Sequence, residues 1–262
     1  MRQLDRLRIR NRSRDSNQEM NNRKLVSFDL ALKRLLRSKA NYEVLEDFLS
    51  ELLKADIEIL ELLESESNRD SARDKSTRVD MKVRNRKREI ILIEVQYKRE
   101  FDYLQRILFA TAKAITEHLS TAEPYESVVK VISINILYFD LGHGEDYVYH
   151  GKTQFRGIHY HDELRLNTKQ QQLFGKQYPH ELYSEYYLLK INQFNDIARD
   201  PLDEWIYFLK NEEIEERFRA KGSAKGQGGP GYHESWGGRK ASLRMAYRRV
   251  ALPGQPVSFL LR

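Results

Sequence analysis

The sequence predicts an α/β domain: a mixed central β-sheet flanked by helices, with disordered basic tails outside it. Three observations predict it. A short stretch, 78–83, and an apolar one, 90–96, stand either side of a charged turn and read as a hairpin. A helical stretch, 101–119, follows. Then 128–139 is rich in β-branched residues and apolar on both faces, which suits a central strand covered on both sides.

Taken in chain order, residues 28–37 read as a helix with apolar positions at 28, 32, 35 and 36. Residues 41–54 read as an amphipathic helix. Tyr42, Leu45, Leu49, Leu52 and Leu53 face inward there, and Glu43, Glu46, Asp47 and Glu51 outward. Residues 57–63 suit a strand or a helix continuation, and the two strands that follow favour a strand. Residues 65–75 are a polar loop. The helix over 101–119 places Leu104, Leu108, Thr111, Ile115 and Leu119 on one face and Arg106, Ala110, Lys113 and Glu117 on the other. A right-handed crossover through it would carry the chain from Gln96 to Val128. Further strands are expected at 146–150, 158–161 and 183–191. A last helix, 201–219, is opened by Asp200 as N-cap with Pro201 at its first position.

The 262 residues suffice for one sizeable core with appendages, or for two small domains. Cysteine is absent, which excludes disulfides and cysteine zinc sites and is compatible with a reducing cytoplasm. No apolar run approaches the ~20 residues of a membrane span, so no membrane partner is expected. The N-terminus has no apolar signal region. The net charge of +6 is unevenly placed. Residues 1–24 carry eight Lys/Arg against three acids, and 226–262 carry six against one, so each end is +5 and the residues between come to −4. The basicity therefore belongs to the ends, where it suits solvated tails able to hold phosphates non-specifically. The expected division is a basic extension at 1–24, one folded domain at 25–220, and a Gly/Arg-rich tail at 221–262. Residues 1–19 are expected to be an over-extended start, and the tail a frame-shifted end.

The chemistry centres on two carboxylates. Side chains alternate along a strand, so Glu94 and Gln96 share a face, as do Asp80 and Lys82. In a hairpin, Asp80 and Glu94 converge at one end of the sheet. Two hard oxygen ligands there suit Mg²⁺, with Mn²⁺ as an alternative, because such an ion takes one or two carboxylates plus substrate phosphate. Gln96 carries no charge but can orient a water or a phosphate oxygen. Arg106 could clamp a phosphate bidentately or form a solvated helix face. Lys98, Lys82 or Arg106 could stand in for a missing site lysine, although Lys98 lies in a charged cluster with Arg99 and Glu100 and suits solvent. Asp29 could reach the metal but more simply caps a helix, Lys33 suits a helix face, and Glu43 and Glu51 suit a solvated one. His159 and His161 on one strand face lack a third ligand. The tyrosines of 183–187 read as an ordinary strand rather than a base-stacking surface.

Seven features in order resemble the PD-(D/E)xK nuclease family transposases, also called recombination-promoting nucleases (Rpn). They are Phe28-Asp29-x-x-x-Lys33, Arg78-Val79-Asp80, Glu94-Val95-Gln96, Arg106, Tyr125 before 128–139, Leu189-Lys190-Ile191, and Asp200 to Trp205. Gln96 stands where the wider superfamily has lysine, as is usual in this narrower group. Ala110 and Ala122 stand where the group often has tyrosine and glycine. The resemblance covers residues 25 to 220. It implies a restriction-endonuclease-like core, a DNA substrate, metal held by Asp80 and Glu94, and a catalytic set of Asp80, Glu94, Gln96 and Arg106. It further implies in-line hydrolysis that leaves 5′-phosphate and 3′-hydroxyl ends. Two readings stay open: a Mg²⁺-dependent DNA endonuclease of transposition or recombination, and a catalytically degenerate DNA-binding relative or relic of a mobile element.

Overall fold

The computed structural model describes residues 42–63, 79–119 and 122–211. Six strands form one sheet: β1 (Ile59–Leu63), β2 (Met81–Asn85), β3 (Ile90–Gln96), β4 (Val131–Leu137), β5 (Val148–Lys152) and β6 (Glu185–Lys190), in the order β1-β2-β3-β4-β6-β5. The β1/β2, β2/β3 and β5/β6 pairs are antiparallel, and the β3/β4 and β4/β6 pairs are parallel. The sheet is therefore mixed, and its parallel centre is buried on both faces. All seven residues of β4 are buried, which fits its mostly apolar sequence on both faces; its two polar residues, Ser133 and Asn135, are buried with the rest.

Alternation splits the strands between two cores. Ile91, Ile93 and Val95 face α1 (Tyr42–Leu53) and α4 (Pro201–Asn211), together with Val44, Leu45, Phe48, Trp205 and Phe208. Ile90 and Leu92, with Val131 of β4, pack against α2 (Tyr103–Glu117) at Ala114. Tyr103 and Ile107 of α2 continue this second layer against Leu137 and Phe139. The α2 helix leads from β3 to the parallel β4, so the expected link runs through this layer. The N-cap of α4 is the expected one, with Asp200 Oδ1 accepting from the Asp203 amide at 2.9 Å.

Several expectations are corrected. The first hairpin strand begins at Met81, leaving Asp80 just outside it. Residues 158–161 form no strand. They make a turn closed by Gly157 and Asp162, with His161 at φ 57°, so His159 and His161 do not share a strand face. A short helix, α3 (Thr168–Phe174), was not expected, although its signals stand in the sequence: Asn167 and Gln170 form a capping box, and Gly175 ends it at φ 66°. Glu51 is buried beside Lys54, and Val44 and Phe48 join the core of α1.

The largest correction is the rotation of α2. Its buried face is Tyr103, Ile107, Ala110, Thr111 and Ala114, while Leu104 and Leu108 are exposed. Leucine content misleads here because the small Ala110 and Ala114 let the helix lie close to the sheet. The charged residues read as a solvent face lie over the sheet ends. At one end Lys82, itself buried, donates to Glu117 at 3.0 Å. At the other, Arg106 turns toward β3. Asp29, Lys33 and both tails lie outside the described residues.

Candidate active site

The β2/β3 register pairs Met81 with Ile93 and Lys82 with Leu92. One further step along this ladder sets Asp80 opposite Glu94. Residues opposite each other share a face, and here it is the face covered by α2. Where β2 has left the ladder, the Asp80 carboxylate replaces it as acceptor: Oδ2 takes the Val95 amide at 2.8 Å. Asp80 is thereby held against the backbone beside Glu94.

Glu94 is buried at the end of its aliphatic run and accepts a hydrogen bond from Arg106 Nη2. The guanidinium is shared. Its Nη1 donates to both oxygens of Glu100, at 2.9 and 2.8 Å. It also lies over the Tyr103 ring, 5.8 Å from the centroid. Burial works against the charge on Arg106, but the hydrogen bonds it donates to Glu100 and the charge of Glu94 outweigh it and raise its pKa. Gln96 Nε2 donates to the Lys98 carbonyl at 3.0 Å and to Glu100 Oε1 at 2.9 Å. Lys98 contributes its backbone here, and it is exposed beyond the end of β3.

Behind these groups runs a buried polar chain. Asn135 of β4 stands in register with Glu94. Its Oδ1 accepts from the Tyr103 hydroxyl at 3.0 Å, and its Nδ2 donates to Ser133 Oγ and the Tyr187 carbonyl. Burial, and then the charge of Glu94, push the Tyr103 hydroxyl well above its ordinary range, so it stays a donor.

The structure thus brings Asp80, Glu94, Gln96 and Arg106 to one end of one sheet face. Lys82 shares this face but reaches the other end of α2, into its pair with Glu117, and Glu43 and Glu51 sit on α1, across the sheet. Sequence reasoning missed Glu100, Tyr103 and Asn135. A polar Asn inside an apolar strand was a usable signal for the last. Glu100 gave none, since a charged run after a strand ordinarily faces water. Grooves of about 670 and 240 Å³ lie at the other end of the sheet, beside Lys87 and Lys130, and include none of the four residues.

Among the described residues no group of three His, Asp, Glu or Cys side chains is placed to hold a metal ion. The pair Asp80 and Glu94 still fits a hard dication, because such an ion keeps several waters and needs one or two carboxylates. A cation, the Arg106 guanidinium, is already drawn to Glu94.

The profile of the PD-(D/E)XK nuclease family transposases matches residues 26–226. The chain belongs to this family. The mixed six-stranded sheet flanked by helices is consistent with the restriction-endonuclease-like α/β fold of PD-(D/E)XK nucleases. Membership of a PD-(D/E)XK nuclease family suggests nuclease activity, a DNA substrate and a divalent metal. No curated protein and no solved structure gives a significant match. No helix among the described residues is long and apolar enough to cross a membrane.

Proposed function

We propose that this PD-(D/E)XK family member is a divalent-metal-dependent DNA endonuclease, acting in transposition or recombination in the cytoplasm. One observation carries the reading: Asp80, just before β2, lies opposite Glu94 of β3, and the two share a sheet end with Gln96 and Arg106. Asp80 and Glu94 would hold the ion, Mg²⁺ or Mn²⁺. A bound dication there supplies Lewis-acid polarisation of the scissile phosphate and a lowered pKa for bound water. Arg106 is fixed at the same edge and can carry positive charge to the phosphate. Its raised pKa keeps it charged at any working pH.

Gln96 has a defined polarity. Both Nε2 hydrogens are engaged by acceptors, the Lys98 carbonyl and Glu100. The amide oxygen is therefore the group left for the site, and it accepts a hydrogen bond from water rather than donating one to phosphate. Gln96 orients the attacking water on this reading.

Nicking of supercoiled plasmid tests the proposal, with Mg²⁺, Mn²⁺, Ca²⁺ or EDTA and with Asp80→Ala and Glu94→Ala beside the wild type. Mg²⁺- or Mn²⁺-dependent nicking that both variants abolish supports it. Undiminished nicking in EDTA, or full activity in both variants, refutes it. The seating of Arg106 on Glu94 favours one rival, a nuclease fold that binds DNA without cutting. Salt-sensitive DNA binding with no nicking under any metal would select that rival.

A further inference from the structure

We propose that Glu100 is a positioning residue of this site, one that keeps Arg106 from closing on Glu94 and so leaves Glu94 able to take a divalent cation. The inference rests on the metal-site reading above. Its origin is geometric: one carboxylate binds both side chains that flank the two acids. Glu100 Oε1 takes Gln96 Nε2 and Arg106 Nη1 at 2.9 Å each, and Oε2 takes Arg106 Nη1 at 2.8 Å.

An arginine beside a buried carboxylate ordinarily pairs with it through two parallel hydrogen bonds. Such a fork on Glu94 would neutralise the carboxylate and compete directly with a metal ion. Here Nη1 is committed to Glu100 while Nη2 reaches Glu94. The guanidinium is pulled toward the loop between β3 and α2. When a cation binds Glu94, Glu100 still provides Arg106 with a charged partner, so the arginine need not move to solvent. The same carboxylate engages the Gln96 amide nitrogen and leaves the amide oxygen for the site. Glu100 touches neither ion nor substrate on this account. It acts through Arg106 and Gln96.

The test is a double-mutant cycle read by calorimetric titration of Mn²⁺ into the DNA-free full chain, with thermal melting of every variant. E100Q is nearly isosteric at a side chain one-third exposed, so the fold should hold. In the wild-type background E100Q should weaken Mn²⁺ binding about tenfold, the size typical when a group that orients a ligand is lost. In an R106A background the same substitution should change affinity less than about twofold, because the competitor is gone. Equal weakening in both backgrounds would mean that Glu100 acts on the ion directly, and unchanged affinity in E100Q would mean that it does not act at all. Either result overturns the proposal while leaving the metal site standing. Absence of Mn²⁺ binding by the wild type, with D80A identical, overturns the site reading and this inference together.

Discussion

Replacing Arg106 by alanine removes a charged partner from a buried carboxylate. Glu94 keeps its burial but loses the guanidinium that faces it. Breaking a fully buried ion pair by removing one partner costs about 3–5 kcal/mol, and a surface pair costs up to about 1 kcal/mol. Glu94 is 8% and Arg106 29% exposed, so a cost of about 2 kcal/mol is expected between those limits. At about 2–4 °C per kcal/mol for a domain of this size, melting should fall by about 4–8 °C. Glu94→Gln should cost less, about 0.5–1 kcal/mol, because Arg106 retains Glu100 and no buried charge is left alone. The double variant Glu94→Gln/Arg106→Ala should resemble Glu94→Gln rather than the sum of the two. That non-additivity is the signature of one shared interaction. Circular dichroism melts in EDTA and in Mg²⁺ provide the assay. Mg²⁺ should raise the melting temperature of Arg106→Ala more than that of the wild type, since the ion then no longer competes with Arg106 for Glu94. Additive costs, or an Arg106→Ala variant as stable as the wild type, would refute the reasoning.

Gln96→Ala should lower turnover in the nicking assay by about 10²-fold, the cost of a misplaced reactant, with Mn²⁺ affinity nearly unchanged; equal losses in both would refute its orienting role. Burial alone would raise the pKa of Glu185, but Lys130 at 2.5 Å and then His150 outweigh it and hold the carboxyl below its usual range. A lowered folded pKa gives stability that is present above the unfolded value of about 4.3 and is lost as pH falls through the folded value. Urea melts should therefore show stability dropping below about pH 5, and Lys130→Ala should flatten that dependence. Trp205 packs edge-on against Phe48, 5.6 Å between centroids, at the α1–α4 contact. Trp205→Ala should cost about 3–5 kcal/mol by urea denaturation.

The local grammar of the chain determined much of this protein. The charged turn between an alternating stretch and an apolar one set the β2/β3 hairpin, and period-2 alternation put Asp80 and Glu94 on one face. The β-branched run of β4, apolar on both faces apart from Ser133 and Asn135, marked the sheet centre, because a strand covered on both sides needs few polar positions. Asp200-Pro201 marked the start of α4 through hydrogen bonds made within one turn. Such signals are readable because the forces behind them act between neighbours in sequence. The rotation of α2 was not readable. Leu104 and Leu108 offer one apolar stripe, while Tyr103, Ile107 and Ala114 offer another. The choice depends on how closely helix and sheet approach, which the small Ala110 and Ala114 settle only once the sheet exists. That choice aims Arg106 at Glu94. The role of Glu100 was hidden for the same reason: nothing within the Lys98-Arg99-Glu100 run separates a solvated acid from one held between Gln96 and Arg106. Pairing across the sheet end arises from tertiary packing, so it appears only when strand, loop and helix are set together.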